Sequence, residues 1–443
     1  MSKPIPQCAR AGGGVRLVTA TACGWILLLA VVACKGPTLP ATPNLYSNGI
    51  DPFVGVPVEQ RSAEVEILYA TDRRPTNHGE LDAAYGSERS TSLAFGRCTV
   101  TLGRDLGWNE LVEASLDPWT SVRVPLEVTS VQELVRFPSS VSPLVLVDGD
   151  LVEDPAVIRQ RVEAEAAVLE IISQHLATSQ RKEIIVFVHG INNSFEDPMY
   201  RMAQLWHMMG RSCVPIVYTW PSNPDLGPLR GYTYDRESGE FTVHHFREFL
   251  RLLARCPDLE RIHVLAHSRG TDIALTAIRE MHLQARARGA ETREELKLGN
   301  VVLAAPDLDL EVTLQRLRPD LVHRAASRLT FYVSEKDKAL GIAKWLFSSI
   351  DRLGQLRSDV LSEGQQSALR MGVIDVIDAK VTRLGSYGHS YFIDNPAVLS
   401  DLILVLRDDR APGAEHGRPL VRRDDGFWEI RDGYPHLEND DGQ

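Results

Sequence analysis

The chain has 443 residues, enough to form one large domain and a smaller one. Its hydrophobic content of 44% and its charged content of 24% are those of an ordinary globular protein. The formal net charge of −11, with no notable basic patch in the sequence, argues against a nucleic-acid-binding function.

Residues 1–33 read as a targeting signal rather than as part of the fold. They contain three basic residues and no acidic ones, and they end in an apolar run over residues 25–33. That run is too short for a comfortable transmembrane span. Cys34 follows a small residue, which resembles a bacterial lipoprotein signal whose cysteine becomes lipidated. A plain secretory signal and an uncleaved anchor are the alternatives.

A lipid on Cys34 would hold the protein on a membrane, because a diacylglycerol thioether with an amide-linked chain such as palmitate anchors better than one chain. We therefore expect a lipoprotein of the bacterial cell envelope, on the periplasmic or extracellular side of a membrane. Residues 34–60 are polar and rich in proline, and they are predicted to form a flexible tether.

Three further cysteines remain in the mature chain, namely Cys98, Cys213 and Cys256. An exported protein enters an oxidising compartment, so one disulfide is possible. Cys213 and Cys256 both precede predicted strands and could pair, but the sequence does not choose among the three thiols.

Residues 61–150 are predicted to form a β-rich N-terminal extension. Val65, Ile67 and Tyr69 alternate with polar positions, which is the period of a half-buried strand. Turn-rich stretches separate this segment from similar ones, and no catalytic motif stands among them.

Residues 151–407 are predicted to form an α/β domain. Strands are predicted at residues 184–188, 214–218, 262–266, 300–305, 329–333 and 373–377, and helices at residues 156–178, 197–209, 243–254 and 271–281. Apolar strands that alternate with helices indicate a mostly parallel sheet with helices on both faces. Residues 408–443 are predicted to be a polar peripheral tail. Its candidates for docking on the body are Phe427, Trp428 and Ile430.

The stretch around Ser268 is typical of a nucleophile elbow. It reads Ala266-His267-Ser268-Arg269-Gly270 and stands between a predicted strand and a predicted helix. So sharp a turn needs small flanking residues, and it exposes the serine hydroxyl at the carboxyl edge of the sheet. The backbone N–H of Arg269 points into the same space and can stabilise an oxyanion.

Residues further along the chain supply an acid and a base in the order that sheet-based hydrolases use. Asp337 follows the strand at residues 329–333, and His389 lies in a glycine-rich loop after the last strand. A serine hydroxyl needs such a histidine as its base, and the histidine needs a carboxylate to orient it. The other acids that could serve are Glu335, Asp307 and Asp309.

The second oxyanion donor is predicted in the loop after the strand at residues 184–188. His189-Gly190 lets the backbone turn closely there and present the N–H of Ile191. Residues 221–240, interrupted by prolines and glycines, form either a lid, one wall of an acyl pocket, or an inert surface loop. The predicted pocket residues are Trp220, Tyr232 and Tyr234.

Several motifs stand together in this chain: Leu68-Tyr69-Ala70-Thr71-Asp72-Arg73, His189-Gly190-x-Asn192-Asn193-Ser194-Phe195, Trp220-Pro221-Ser222, Tyr234-Asp235-Arg236-Glu237-Ser238, Ala266-His267-Ser268-x-Gly270, Ala305-Pro306-Asp307 and Gly388-His389-Ser390-Tyr391-Phe392. The set resembles a bacterial branch of the α/β-hydrolase superfamily, catalogued as a domain of unknown function. The resemblance runs from about residue 60 to about residue 405. It implies the α/β-hydrolase fold and a triad of Ser268, Asp337 and His389, but no substrate.

The prediction is a membrane-anchored serine hydrolase of the esterase or lipase type. It would cleave a small-molecule or lipid ester, such as an acylated envelope component, through an acyl-enzyme. The alternatives are an amidase or peptidase with the same triad, and a non-catalytic, lipid-anchored binding or scaffold protein on a hydrolase fold. No metal or cofactor is expected, because the sequence shows no Asp, Glu and His cluster with ligand spacing. The sequence identifies no protein partner.

Overall fold

The structure, a computed structural model, describes residues 36–76, 84–338, 340, 353–357, 359, 361–382 and 388–436. The predicted signal and Cys34 lie outside the described residues. No helix within these described ranges is long and apolar enough to cross a membrane.

The strands and helices follow one another along the chain with short connections. The strands are β1 (Glu64–Thr76), β2 (Ala84–Leu102), β3 (Leu126–Arg136), β4 (Leu144–Val147), β5 (Asp150–Glu153), β6 (Glu183–Val188), β7 (Val214–Thr219), β8 (Arg261–His267), β9 (Leu298–Ala304), β10 (Arg328–Val333), β11 (Asp375–Ala379), β12 (Val421–Arg422) and β13 (Trp428–Ile430). The helices are α1 (Trp108–Leu116), α2 (Pro155–Thr178), α3 (Asp197–Met208), α4 (Gly227–Ala254), α5 (Gly270–Ala287), α6 (Thr292–Leu296), α7 (Leu310–Asp320), α8 (Glu363–Arg370), α9 (Tyr391–Asp394) and α10 (Pro396–Leu406).

A large sheet organises the described part of the chain, with its strands in the order β12-β13-β11-β10-β9-β8-β6-β7-β1-β2-β3. From β13 to β1 each strand runs parallel to its neighbours. Strands β2 and β3 at one edge and β12 at the other are antiparallel. The predicted fold class, α/β with a mostly parallel sheet, is confirmed. The predicted β-rich extension continues this sheet through β1–β3, and β4 and β5 form a separate hairpin.

The sheet has a hydrophobic core on each face because side chains along a strand alternate between the two sides. On β6, Ile184, Val186 and Val188 belong to one core, whereas Ile185 and Phe187 belong to the other. Helices α2, α4 and α5 pack on the first face, and α1, α3 and α10 pack on the second. The central strands, such as β6, β7 and β9, are therefore buried on both sides, which explains their continuous apolar sequences.

The predicted flexible tether over residues 34–60 is corrected by the structure from Pro37 onward. The backbone N–H of Leu39 donates to the carbonyl of Val124 at 2.9 Å, and Leu45 and Tyr46 are buried. These apolar side chains among the prolines give the stretch enough buried surface to dock on the body.

The segment at residues 221–240 is also corrected, because α4 begins at Gly227 and continues to Ala254. Pro228 lies in the first turn of the helix, where a missing N–H costs nothing. Gly239 packs against Ile273 of α5, and a Cβ at this position would lie 3.5 Å from the Ile273 side chain. The prolines and glycines that suggested a loop are therefore compatible with a helix.

The predicted polar tail is not peripheral, since β13 pairs in parallel with β11 and buries Phe427, Trp428 and Ile430. Arg418 is fully buried and donates from Nε and Nη2 to the two carboxylate oxygens of Asp401 on α10, at 2.8 and 2.7 Å. The buried ion pair of Arg418 with Asp401 therefore holds the tail against the second face of the sheet. The polar composition of the tail gave no indication of this contact.

The three cysteines of the described region, Cys98, Cys213 and Cys256, are buried free thiols. The pairing of Cys213 with Cys256 that the sequence left open is therefore not present in the structure. Cys256 instead lies beside the hydroxyl of Ser173, with 3.5 Å between Sγ and Oγ.

Replacing Arg418 by alanine is expected to destabilise the whole domain. The change leaves the buried Asp401 carboxylate without its cation, and such a loss costs about 3–5 kcal/mol in other proteins. Denaturant unfolding followed by circular dichroism measures this loss. Arg410→Ala, at a partly exposed arginine nearby, is the control and should cost less than about 1 kcal/mol. Equal effects of the two variants would contradict this role of the tail.

Candidate active site

The predicted site residues follow neighbouring parallel strands and so gather at one edge of the sheet. Ile191 follows β6, Ser268 follows β8, Asp337 follows β10 and His389 comes after β11. The carboxyl ends of parallel strands meet at the same edge, where ligands bind in open α/β sheets.

Ser268 sits in a strained turn between β8 and α5. Its φ angle is +52°, in the left-handed region that costs a residue with a side chain about 1 kcal/mol. The turn is held because the Ser268 N–H donates to the carbonyl of Ala304 at 3.0 Å. A Cβ at Gly270 would lie 2.3 Å from the carbonyl oxygen of His189, so only glycine allows α5 to start this close to β6. The geometry is that of a nucleophile elbow.

His389 and Asp337 form a close pair. His389 donates from Nδ1 to Oδ2 of Asp337 at 2.7 Å, and the Asp337 carboxyl group is completely buried. The other carboxylate oxygen accepts the N–H of Leu340 at 3.2 Å. With Nδ1 committed as a donor, Nε2 of the neutral imidazole is the nitrogen left to accept a proton.

Asp307, one of the alternative acids, lies beside the serine, and its described hydrogen bonds go to partners other than His389. Its backbone N–H donates to the carbonyl of Ser268 at 3.3 Å, and its Oδ2 accepts the hydroxyl of Tyr232 at 3.0 Å. Asp309 caps α7 instead, accepting the N–H of Val312 at 3.0 Å. Of these carboxylates, Asp337 is the one bound to the predicted base.

Ser268 and His389 line a common cavity of about 310 Å³. Its other polar lining residues are His189, Asn192, Asn193, Arg201, Tyr232, His267, Asp307 and Ser390, and its apolar ones are Phe187, Ile191, Leu340 and Phe392. The predicted nucleophile and base are thus brought to one space, whose lining residues are mostly polar but whose exposed surface comes mainly from apolar atoms.

The loop after β6 approaches the serine closely. A Cβ at Gly190 would lie 2.8 Å from Cβ and 3.3 Å from Oγ of Ser268, so a glycine is needed at this point. Within the part of the chain that the structure describes, the N–H groups of Ile191 and Arg269 have no hydrogen-bond acceptor. Both predicted oxyanion donors are therefore free to bind a ligand.

His189 has a supporting position that explains the direction of the Ile191 N–H. Its Nε2 accepts the backbone N–H of Trp220 at 3.0 Å, so Nδ1 is the donor, and it donates to the carbonyl of Gly190 at 2.7 Å. In a trans peptide the next N–H points away from that carbonyl. Burial, and then the charge of Arg73, hold the pKa of His189 well below its usual range, so the ring is neutral.

Asp235 on α4 fixes the far side of the same loop. Its carboxylate accepts the N–H of Asn192 at 2.8 Å, the hydroxyl of Ser222 at 2.8 Å and the N–H of Asn223 at 2.8 Å. Burial raises the pKa of Asp235, although these hydrogen bonds oppose the rise. A helix predicted in part as a loop therefore holds the candidate oxyanion loop in place.

Arg73 at the end of β1 completes this frame, and its side chain is fully buried. All five N–H groups of its guanidinium donate to protein acceptors. The acceptors are the carbonyls of Gly86, Asn193, Ser194 and Ser222 and the hydroxyl of Thr219, at 2.9–3.2 Å. Burial lowers the pKa of Arg73 to about 10, so the group stays charged at neutral pH.

His267 contacts the predicted base, a contact that the sequence did not reveal. Its Nε2–H donates to the backbone carbonyl of His389 at 3.1 Å, and the two rings lie 4.7 Å apart. Burial, and then the charge of His389, keep the pKa of His267 well below its usual range. His267 thus acts as a neutral donor that positions the backbone of His389. In the sequence, the position of His267 next to Ser268 was the one indication that it belongs to the site.

Of the predicted pocket residues, Tyr232 lines the cavity, but Trp220 and Tyr234 do not. Trp220 is buried with its ring stacked 5.1 Å from His189, and its Nε1 donates to the His189 carbonyl. Tyr234 donates its hydroxyl to the carbonyl of Ser87 at 2.7 Å. Residues two apart on a helix point in nearly opposite directions, so Tyr232 and Tyr234 cannot face the same pocket.

No group of three or more histidine, cysteine and acidic side chains could hold a metal ion among the described residues. A serine with a histidine–carboxylate pair and two free N–H groups is an arrangement suited to acyl transfer.

A family model agrees with this fold. The model of a family described as "Alpha/beta hydrolase of unknown function (DUF900)" matches residues 164–407. No curated protein matches the chain. Among solved structures, the ydeN gene product from B. subtilis is similar with 13% identity and a TM-score of 0.26, over 52% of this chain and 100% of its own.

The family match covers more than half of the chain and every strand from β6 to β11, and so includes the elbow and the strands before Asp337 and His389. The chain therefore belongs to this family of α/β hydrolases of unknown function.

Proposed function

We propose that this α/β hydrolase cleaves carboxylic esters with Ser268 as its nucleophile. The observation that carries the proposal is the His389–Asp337 hydrogen bond of 2.7 Å at a cavity that also contains Ser268. A buried carboxylate bound to a histidine, at a cavity that also contains a strained serine, is the arrangement that acyl transfer requires. The two free N–H groups of Ile191 and Arg269 beside the serine support the same reaction.

The reaction begins when Oγ of Ser268 attacks the ester carbonyl carbon while Nε2 of His389 takes the hydroxyl proton. The C=O π electrons move to the oxygen, which becomes an oxyanion bound by the N–H groups of Ile191 and Arg269. When the oxyanion collapses, the C–O bond to the alcohol breaks and His389 gives its proton to the leaving oxygen.

Water completes the cycle by attacking the acyl-enzyme. His389 takes a proton from the water, the C–O bond to Ser268 breaks, and the proton returns to Oγ as the acid product leaves. Asp337 remains ionised throughout and stabilises the imidazolium, since it is held by the Leu340 N–H as well as by His389.

The size of the cavity supports a short acyl group over a long hydrocarbon chain. Its volume is about 310 Å³. Ligand pockets range from about 300 to about 1,000 Å³, so this cavity is at the small end of the range. Of the predicted substrates, a small ester or a short acyl group on an envelope component fits this cavity better than a long-chain lipid does.

The proposed location is the bacterial cell envelope, with the protein held on a membrane by a lipid on Cys34. The support for this anchor is the sequence of residues 1–34. In this arrangement the domain acts on a substrate in the periplasmic or extracellular space.

Ser268→Ala should abolish labelling by a fluorophosphonate probe and the hydrolysis of p-nitrophenyl esters. Alanine fits the same turn, so the free energy of unfolding should stay within about 0.5 kcal/mol of that of the original protein. Mass spectrometry of the labelled original protein should place the phosphonate on Ser268. A folded protein that is neither labelled nor active on short and long esters would favour the scaffold alternative. Activity on amides alone would favour the amidase alternative.

Asp337→Asn should lower ester turnover by about three to four powers of ten, because His389 loses the carboxylate that selects its tautomer. Asp307→Asn is the matched comparison, because it makes the same change at a buried carboxyl group near Ser268 and leaves the His389–Asp337 hydrogen bond in place. Steady-state kinetics of both variants should show the larger loss at Asp337. The reverse order would place the catalytic acid after β9.

Cys34→Ser should release the protein from membranes into the soluble fraction after cell breakage, since no residue then accepts the diacylglycerol. Fractionation with immunoblotting, together with the intact mass, tests this. A variant that stays on the membrane with residues 1–33 attached would indicate an uncleaved anchor instead.

A further inference from the structure

A second cavity, of about 460 Å³, lies beside the one that contains Ser268. It is formed between α4, α5 and α7, and Tyr232 lines both cavities. Arg269, the residue after the proposed nucleophile, lines this second cavity. We call this second cavity the arginine cleft.

The arginine cleft concentrates positive charge in a protein whose formal net charge is −11. Its basic lining residues are Arg236, Arg269, Arg279 and Arg316, and its acidic ones are Glu240, Asp272 and Asp309. Asp272 is paired with Arg269 at 2.8 Å, and Asp309 is engaged as the cap of α7. Two of the three acidic residues therefore already have a partner within the protein.

Two of the four arginines of the cleft have no ion-pair partner. Arg236 and Arg316 are exposed and form no ion pair within the described part of the chain, whereas Arg279 is bound to Asp320 at 2.5 Å. Arg269 is only 8% exposed, and its guanidinium is held by Asp272. Arg236 and Arg316 are therefore the cations that are open to a ligand, and Arg269 adds its charge from the wall of the cleft.

We propose that the arginine cleft binds an anionic group, a carboxylate or a phosphate, of the ester that Ser268 cleaves. This inference rests on the proposed hydrolase function and narrows its substrate class. Guanidinium groups bind both anions through paired, charge-assisted hydrogen bonds, and a cleft concentrates their field. The ester carbonyl lies on the Ser268 side of Tyr232 and the anionic group lies on the Arg269 side.

The binding test uses the folded but inactive Ser268→Ala protein in titration calorimetry with glutarate, inorganic phosphate and neutral glutaramide. We expect millimolar or tighter binding of at least one anion and none of the diamide. The preferred anion shows whether the natural group is a carboxylate or a phosphate. Arg236→Gln combined with Arg316→Gln should weaken binding about tenfold or more.

The matched control is Arg318→Gln, which removes the same charge from α7, two residues from Arg316. Arg318 lines a different cavity, so its loss should leave anion binding nearly unchanged. Equal weakening by Arg318→Gln would mean that the overall charge matters rather than the cleft. That result, or no binding of either anion below about 10 mM, would overturn the proposal.

The kinetic test compares two pairs of esters in the active protein. The mono-p-nitrophenyl ester of adipic acid and p-nitrophenyl hexanoate differ by a charge on the acyl side, and 4-acetoxybenzoate and phenyl acetate differ by a charge on the alcohol side. In at least one pair, kcat/KM should be higher for the anionic ester than for the neutral one. The ratio of the two values should fall about tenfold in the variant that combines Arg236→Gln with Arg316→Gln. Unchanged ratios in both pairs would overturn the substrate role.

The proposed hydrolase function and the proposed anion binding can be contradicted separately. A protein that is labelled at Ser268 but binds neither anion remains a serine hydrolase and loses the arginine cleft as a subsite. A protein that binds anions at Arg236 and Arg316 but is never labelled keeps the binding site and loses the hydrolase function.

Discussion

The geometry of the site depends on how the loop after β6 is held against Ser268. A Cβ at Gly190 would lie 2.8 Å from that of Ser268, so the loop has almost no freedom to move toward the serine. His189 turns the peptide between Gly190 and Ile191 by donating to the Gly190 carbonyl. The free N–H of Ile191 then points away from this hydrogen bond. Preorganised donors of this kind stabilise an oxyanion without having to reorient during the reaction.

Two buried charged residues, Arg73 and Asp235, hold the loop after β6 in position. Arg73 uses all five of its N–H groups on acceptors around it, and Asp235 accepts the N–H of Asn192. Burying an ionised group is costly unless hydrogen bonds satisfy it, so these two residues require their partners to remain in place. Motifs that lie far apart in sequence, from β1 to α4, therefore meet at one loop. Their contacts at this loop give a physical reason why these motifs occur in the same chain.

Much of the fold and of the site could be predicted from the sequence because the signals were local. The strands were apolar runs of four to six residues, and the elbow and its partners stood directly after strands. What failed depended on distant partners. The tail looked polar because the charge of Arg418 is paired with Asp401, which lies outside the tail. The segment before Ala254 looked like a loop because the packing of Gly239 against Ile273 of α5 is not visible in the sequence. The contact between His267 and the His389 carbonyl likewise requires the folded sheet edge.

The most direct measurement of the central claim is a crystal structure of the protein after reaction with a small phosphonate inhibitor. The account predicts a phosphorus bonded to Oγ of Ser268 and a phosphonyl oxygen about 2.7–3.1 Å from the backbone nitrogens of Ile191 and Arg269. Nε2 of His389 should lie on the opposite side of the phosphorus, near the oxygen of Ser268. A phosphonate on another residue, or a phosphonyl oxygen that turns away from both nitrogens, would contradict the account.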